Sequence, residues 1–182
     1  MKSTIVQSVF SMLSPAGENA RLSVLLFHKI PTLADPLTTD EMDLARFEKI
    51  LDFLSLNTNV MPLPEATVAL QAGKLPKRAM ALTFDDGYAE WIDNVSPALR
   101  KRNLPGTFFV TTGQLAGSAL WHERIVAAVR ALPDRGFSLP YGFGKYTDLR
   151  LPGNRLRLVE ELQERPNQEA PNQFKTSRPL SI

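Results

Sequence analysis

The sequence predicts an α/β fold, with strands and helices alternating around a mostly parallel sheet or barrel. Two observations support this. Short, largely apolar runs with the character of strands lie at 22–27, 78–84 and 107–111. Stretches with apolar residues every three or four positions, typical of helices, lie at 40–56, 64–72 and 120–132. In such folds the functional side chains collect at the carboxyl ends of the strands.

Individual elements follow from local patterns. Residues 22–27 are almost continuously apolar, which predicts a strand buried on both faces. A short strand at 60–63 precedes the helix at 64–72, which has Pro64 in its first turn and Gly73 at its end. A further helix, interrupted at Ser96-Pro97, follows Gly87. Residues 136–151 read as a loop or small hairpin, and 154–164 as a helix.

Length and composition suit one globular domain, because 43% of the 182 residues are hydrophobic. Residues 1–20 are read as an N-terminal lead-in and 21–165 as the domain. Residues 166–182 are rich in Pro, Asn, Gln and Ser, which predicts a disordered tail.

Charge and residue usage exclude several classes of function. The net charge is only +2, and the densest basic cluster, Arg100 to Arg102, reads as a solvated helix end, so no nucleic-acid partner is expected. Cysteine is absent, which excludes disulfides and Cys-based zinc sites. No stretch is long and apolar enough to span a membrane. Polar residues interrupt the N-terminal apolar run, so there is no clear signal peptide, and a cytoplasmic or membrane-peripheral location is favoured.

The strongest chemical signal is the pair Asp85-Asp86, which follows a predicted strand and precedes Gly87. Two adjacent carboxylates repel each other, which costs free energy, and a bound metal ion removes this cost. One carboxylate can then bind the ion while the other acts on a water molecule. The alternative is a simple turn with a helix-capping aspartate.

The aromatic and imidazole side chains have open interpretations. His28 follows the first strand and either lines the same edge as Asp85 or is a structural histidine. His122 reads as a surface histidine at a helix start. Trp91 and Trp121 are interpreted as core aromatics, with sugar stacking as the alternative.

Several segments, in the right order, resemble the polysaccharide deacetylase family, also called the NodB-type domain or carbohydrate esterase family four. Thr83 to Gly87 is similar to the family's first motif. The segments Leu25 to His28 and Leu104 to Gly113 resemble the strands of members associated with bacterial exopolysaccharide production. Together with Phe47 and Trp121, each with its helix, the resemblance extends over about residues 21–132.

This resemblance implies metal-dependent hydrolysis of acetyl groups on an N-acetylated polysaccharide. It implies that Asp85 is the general base, that Asp86 binds a zinc-type divalent ion, and that a histidine acid protonates the leaving amine. It also implies a (β/α) barrel of the glycoside hydrolase/deacetylase type, here incomplete at its C-terminal side.

The chain departs from the family pattern in its histidines. The family completes its metal site with a later His-x-x-x-His motif, but the only two histidines here, His28 and His122, are 94 positions apart. We therefore expect a truncated, inactive fragment that retains metal poorly and oligomerises through exposed strand edges. The alternatives are a non-catalytic carbohydrate-binding or partner-dependent remnant, and a magnesium-dependent hydrolase acting on phosphate esters.

Overall fold

The computed structural model describes residues 4–39, 41–114, 117, 119–138, 145–151 and 153–169. The chain divides into two compact units. The first comprises Met1–Asp35 and Thr39–Leu115, and the second comprises Pro36–Thr38 and Ala116–Ile182.

In the first unit, helices alternate with parallel strands. The helices are α1 (Thr4–Leu13), α2 (Leu44–Asn57), α3 (Leu63–Gln71) and α4 (Ser96–Arg100). The strands are β1 (Ser23–Phe27), β2 (Asn59–Val60), β3 (Ala79–Asp85) and β4 (Thr107–Phe109). Single turns of 3-10 helix lie at Gly17–Asn19 and Thr112–Gln114, and a π-helical turn at Trp91–Val95. Strand β3 is central and pairs in parallel with β1 on one side and with β2 and β4 on the other, which confirms an α/β fold with a parallel sheet.

The main core of this unit lies between the sheet and helices α2 and α4. Helix α2 begins at Leu44 because the Asp43 side chain caps it, accepting a hydrogen bond from the Arg46 amide at 2.7 Å. The apolar side of α2 then faces the sheet. The buried members of this core are Phe27, Ile30, Phe47, Leu51, Leu54, Leu82, Phe84, Trp91, Val95, Ala98 and Leu99.

Strand β1 is not buried on both faces, so that prediction is wrong. Val24 and Leu26 are 47% and 53% exposed, whereas Phe27 is buried. Alternate residues of a strand point to opposite faces of the sheet. Only the face of β1 that carries Phe27 packs against the helices. The face that carries Val24 and Leu26 is open to solvent.

Helix α1 packs within the first unit, although the sequence suggested only a lead-in at 1–20. Gln7 Nε2 donates to the Leu56 carbonyl at 2.7 Å, and the Phe10 and Phe53 rings meet edge to face with centroids 6.1 Å apart. Ser14 is buried, and its Oγ donates to the Arg21 carbonyl at 2.6 Å.

The second unit contains α5 (Trp121–Ala131), an antiparallel hairpin of β5 (Arg135–Ser138) and β6 (Lys145–Asp148), and α6 (Asn154–Glu169). The hairpin confirms one of the two readings of residues 136–151. The Arg155 guanidinium donates hydrogen bonds to the Val129 and Leu132 carbonyls and to the Asp134 carboxylate. It therefore supplies donors to the carbonyls at the C-terminal end of α5.

The predicted disordered tail, 166–182, overlaps the end of α6. Residues 166–169 continue that helix, although Pro166 has no backbone N–H with which to donate a helical hydrogen bond. The rest of the predicted tail, 170–182, lies outside the described residues.

Asp52 should make stability depend on pH in acid. Arg102 Nε donates to Asp52 Oδ1 at 2.6 Å, and this hydrogen bond lowers the pKa of Asp52 below its ordinary value. A depressed folded-state pKa stabilises the protein above the unfolded-state value, about 4 for Asp, and this contribution is lost as the pH falls through the folded-state pKa. We expect Asp52→Asn to lower the urea midpoint at pH 7, by an amount that shrinks below about pH 4. A matched control is Asp93→Asn, a substitution of the same kind at an exposed position. An effect of Asp52→Asn on the urea midpoint that did not change with pH would contradict this prediction.

Candidate active site

The carboxyl edge of the parallel sheet brings the main sequence candidates together. Asp85 is the last residue of β3 and is half-buried. Phe27 of β1 is in register with Phe84 of β3, so His28 and Asp85 are the next residues along two adjacent strands. Neighbouring strands are about 4.8 Å apart, which puts both residues at one edge, as the sequence predicted.

The backbone after Asp85 turns sharply through two left-handed residues. Asp86 has φ 87° and Gly87 has φ 83°. Glycine adopts this conformation readily, and aspartate does so more often than most residues. A Cβ at Gly87 would also lie 3.0 Å from Val110 Cγ1, a tight contact that the Val110 side chain would have to relieve. Strained backbone of this kind clusters at functional sites, which supports a role for Asp86.

Neither aspartate acts as a helix cap. Within the described residues, no hydrogen bond to the carboxylate of Asp85 or Asp86 is found, and the next helical segment begins only at Glu90. A capping side chain would accept a hydrogen bond from an amide in the first turn. The two adjacent carboxylates are therefore available for other chemistry.

An aromatic cluster supports the strand that carries Asp85. The Phe84 ring is fully buried and stacks on Phe27 and Phe108, with centroids 5.4 and 4.8 Å away. Phe47 and Trp91 contact it edge to face at 6.0 and 6.1 Å. Close packing of this kind fixes the end of β3 and hence the position of the Asp85 backbone.

Two residues that the sequence did not single out as positioning groups hold the edge together. Trp91 Nε1 donates to the His28 carbonyl at 2.9 Å, and the buried Asn94 side chain donates to the Ile30 carbonyl at 2.8 Å. Both lie in the π-helical turn, an irregularity that is frequent at functional sites. Trp91 is only 6% exposed, which confirms it as a core aromatic.

The remaining candidates, Trp121 and His122, belong to the second unit. His122 is the second residue of α5, which confirms its predicted place at a helix start. Trp121 is 51% exposed, so the prediction that it is a core aromatic is wrong. It opens α5 on the solvent side, while Val126 and Val129 form the buried side of that helix.

The described residues do not by themselves provide a complete site for a zinc-type ion. No cluster of three or more His, Cys, Asp or Glu side chains suited to a metal occurs among them. Catalytic zinc sites normally use three protein ligands and keep one position open. The described residues thus offer the Asp85 and Asp86 carboxylates but not a full ligand set.

Comparison with known families gives a match in the same region. Residues 72–147 match the family described as polysaccharide deacetylase. The resemblance to polysaccharide deacetylases is confirmed. This match covers β3, the Asp85-Asp86-Gly87 turn and β4, and it extends into the second unit. A comparison with curated proteins gives no match.

Three solved structures match part of the chain. The Streptococcus pyogenes deacetylase PplD, in complex with acetate, is 22% identical with a TM-score of 0.47, and the match covers 60% of this chain and 52% of that one. IcaB from Ammonifex degensii is 25% identical with a TM-score of 0.47, covering 84% and 67%. The BpsB deacetylase domain from Bordetella bronchiseptica is 21% identical with a TM-score of 0.36, covering 78% and 51%. The chain thus spans between half and two thirds of the length of these proteins.

The described helices include none that is both long and apolar enough to cross a membrane.

Substitutions at Asp86 should show how much the left-handed backbone at this position costs in stability. Alanine tolerates a left-handed φ less well than aspartate, and glycine tolerates it best. We expect Asp86→Ala to lower the free energy of unfolding by about 1 kcal/mol and Asp86→Gly to leave it unchanged or slightly higher. Urea denaturation of the three proteins measures this order. A glycine variant less stable than the alanine variant would show that the turn does not have this conformation.

Proposed function

We propose that this chain supplies the general base and one metal ligand of a hydrolase that removes acetyl groups from an N-acetylated polysaccharide. The observation that carries the proposal is the pair of carboxylates at the end of β3, unbonded within the described residues and inside the segment that matches polysaccharide deacetylases. The family match supports a hydrolase acting on a carbon-nitrogen bond other than a peptide bond.

The two aspartates have different proposed roles. Asp85 accepts a proton from the water that attacks the acetyl carbonyl, a role that suits a half-buried carboxylate at an open strand end. Asp86, on the strained turn, is the metal ligand. His28, at the next strand end, is proposed to line the substrate side of the site.

The ligands still needed are proposed to lie outside these 182 residues, because the chain has only two histidines, 94 positions apart, and therefore no His-x-x-x-His motif. On this proposal the chain alone holds a divalent ion weakly and does not turn over substrate. The open face of β1 has a matching explanation: Val24 and Leu26 lie on the inner wall of an incomplete (β/α) barrel. An open apolar sheet face and an unpaired strand edge also favour self-association of the chain.

A second candidate function is non-catalytic carbohydrate binding. It is favoured by the half-exposed Phe109, which is in register with Asp85, because aromatic rings beside polar groups are typical of ligand sites. Saturable binding of N-acetylglucosamine oligomers that is lost in Phe109→Ala but retained in Asp85→Asn would favour this function.

Coding DNA downstream of codon 182, translated in all frames, tests the deacetylase proposal. A His-x-x-x-His motif followed by a further histidine in one frame would supply the missing ligands and the acid. An assay of the purified chain for acetate release from N-acetylglucosamine oligomers, with and without zinc, complements it. We expect no zinc-dependent release by the chain alone. Absence of any such motif would contradict the deacetylase proposal and favour the binding function.

A further inference from the structure

A cavity of about 260 Å³ lies at the amino-terminal edge of the sheet, away from the candidate active site. Ser23 at the start of β1 and Ala79 and Met80 at the start of β3 form part of its lining. Ligand pockets usually have volumes of roughly 300–1,000 Å³, so a small ligand would fill this one.

Two arginines give the cavity a positive charge. Arg21 and Arg78 line it, and none of the residues that line it is acidic. The Nε of Arg78 is buried and has no hydrogen-bond partner among the described residues. A buried donor without a partner costs about 1–3 kcal/mol, and because solvent does not reach this atom, the Arg78 side chain must shift before a ligand acceptor in the cavity can bond it.

The backbone of Arg78 is fixed on both sides. Its amide donates to the Ser14 carbonyl at 2.9 Å, and its carbonyl accepts from the Asn59 amide at 2.9 Å. Its φ of 58° is left-handed, a conformation that a long side chain rarely adopts. The base of this side chain is therefore held in place before any ligand arrives, and a planar guanidinium suits carboxylate and phosphate oxygens.

Part of the cavity lining is apolar. Phe10 and Leu13 of α1 and Met80 of β3 form this apolar wall. Leu13 is 58% exposed, which leaves this apolar wall open to an incoming chain. An inorganic anion would contact the arginines but leave the apolar wall unused.

We infer that this cavity binds a small amphiphilic anion, a phosphate monoester or carboxylate with a short alkyl substituent. The anionic head pairs with Arg78 and Arg21, and the alkyl part packs on Phe10, Leu13 and Met80. This site is independent of the proposed deacetylase function, because it lies at the other edge of the sheet.

Isothermal titration of the full chain with hexyl phosphate tests the inference, with inorganic phosphate and hexanol as the matched ligands. We expect saturable binding of hexyl phosphate and at least about tenfold weaker binding of either matched ligand. Arg78→Gln should weaken hexyl phosphate binding by about tenfold or more, since a hydrogen bond to a charged group is lost. Arg46→Gln, an exposed charge on α2, should leave it unchanged.

Arg21→Gln and Leu13→Gln keep the test decisive if Arg78→Gln fails to fold, because both positions are exposed. Each should weaken hexyl phosphate binding, and Leu13→Gln should leave ethyl phosphate binding unchanged. Sedimentation with phosphatidic acid vesicles then distinguishes a lipid headgroup, which carries the protein down in an Arg78-dependent way, from a soluble ligand, which does not. Absence of saturable hexyl phosphate binding, or equal binding by the wild type and all three cavity variants, would overturn the inference.

Discussion

Phe84→Ala should lower the free energy of unfolding by about 3–5 kcal/mol, the usual cost of removing a buried aromatic ring. Phe84 is fully buried, and four aromatic rings contact it with centroids between 4.8 and 6.1 Å away. The neighbouring rings belong to β1, α2, β4 and the π-helical turn, so they cannot all move in to fill the space. Urea denaturation followed by circular dichroism measures the change.

The matched control is Phe53→Ala. Phe53 is 42% exposed and has one described ring neighbour, Phe10, at 6.1 Å. We expect a loss of about 1 kcal/mol, the order of a single aromatic pair. Equal losses for the two variants would contradict the view that the cluster around Phe84 is the centre of the core.

Gly87→Ala should destabilise the first unit by about 1–2 kcal/mol, mainly because its left-handed backbone disfavours an L side chain. The left-handed φ of 83° disfavours any side chain, and the new Cβ would lie 3.0 Å from Val110 Cγ1. Val110 is 51% exposed, so its side chain can shift to relieve the contact. Urea denaturation gives the stability, and amide chemical shifts of Asp85 and Asp86 show whether the turn moves.

Gly113→Ala is the control for this prediction. A Cβ at Gly113 would meet no atom within 4 Å, and its φ is not in the left-handed range. We expect a change within about 0.5 kcal/mol, as for most substitutions outside special sites. A Gly87→Ala variant as stable as Gly113→Ala would show that the turn does not require glycine.

Local pattern was enough to predict the elements that position the site. The apolar run at 78–84 and the Asp85-Asp86-Gly87 sequence that follows it correctly predicted a strand with two carboxylates at its end. Parallel strands share their carboxyl edge, so the place of His28 beside Asp85 also followed from the sequence.

Features that depend on distant partners could not be read from the sequence. Asn94 bonds a carbonyl 64 positions away, and no local pattern indicates that pair. The exposure of Val24 and Leu26 depends on which elements cover each face of β1, whereas an apolar run shows only that the strand can be buried. The left-handed φ of Asp86 could not be derived from residue type, because most aspartates do not adopt it.

Zinc affinity shows whether the carboxylates at the end of β3 form part of a metal site. Competition titration with a chromogenic chelator would compare the wild type with Asp86→Asn and with Asp93→Asn, an exposed aspartate outside the proposed site. We expect weak, reversible binding by the wild type and by Asp93→Asn. Asp86→Asn should bind at least about tenfold more weakly, the lower end of the loss caused by altering even a residue behind a metal ligand. Zinc retained stoichiometrically through dialysis, or equal affinity in all three proteins, would contradict a partial metal site built on Asp86.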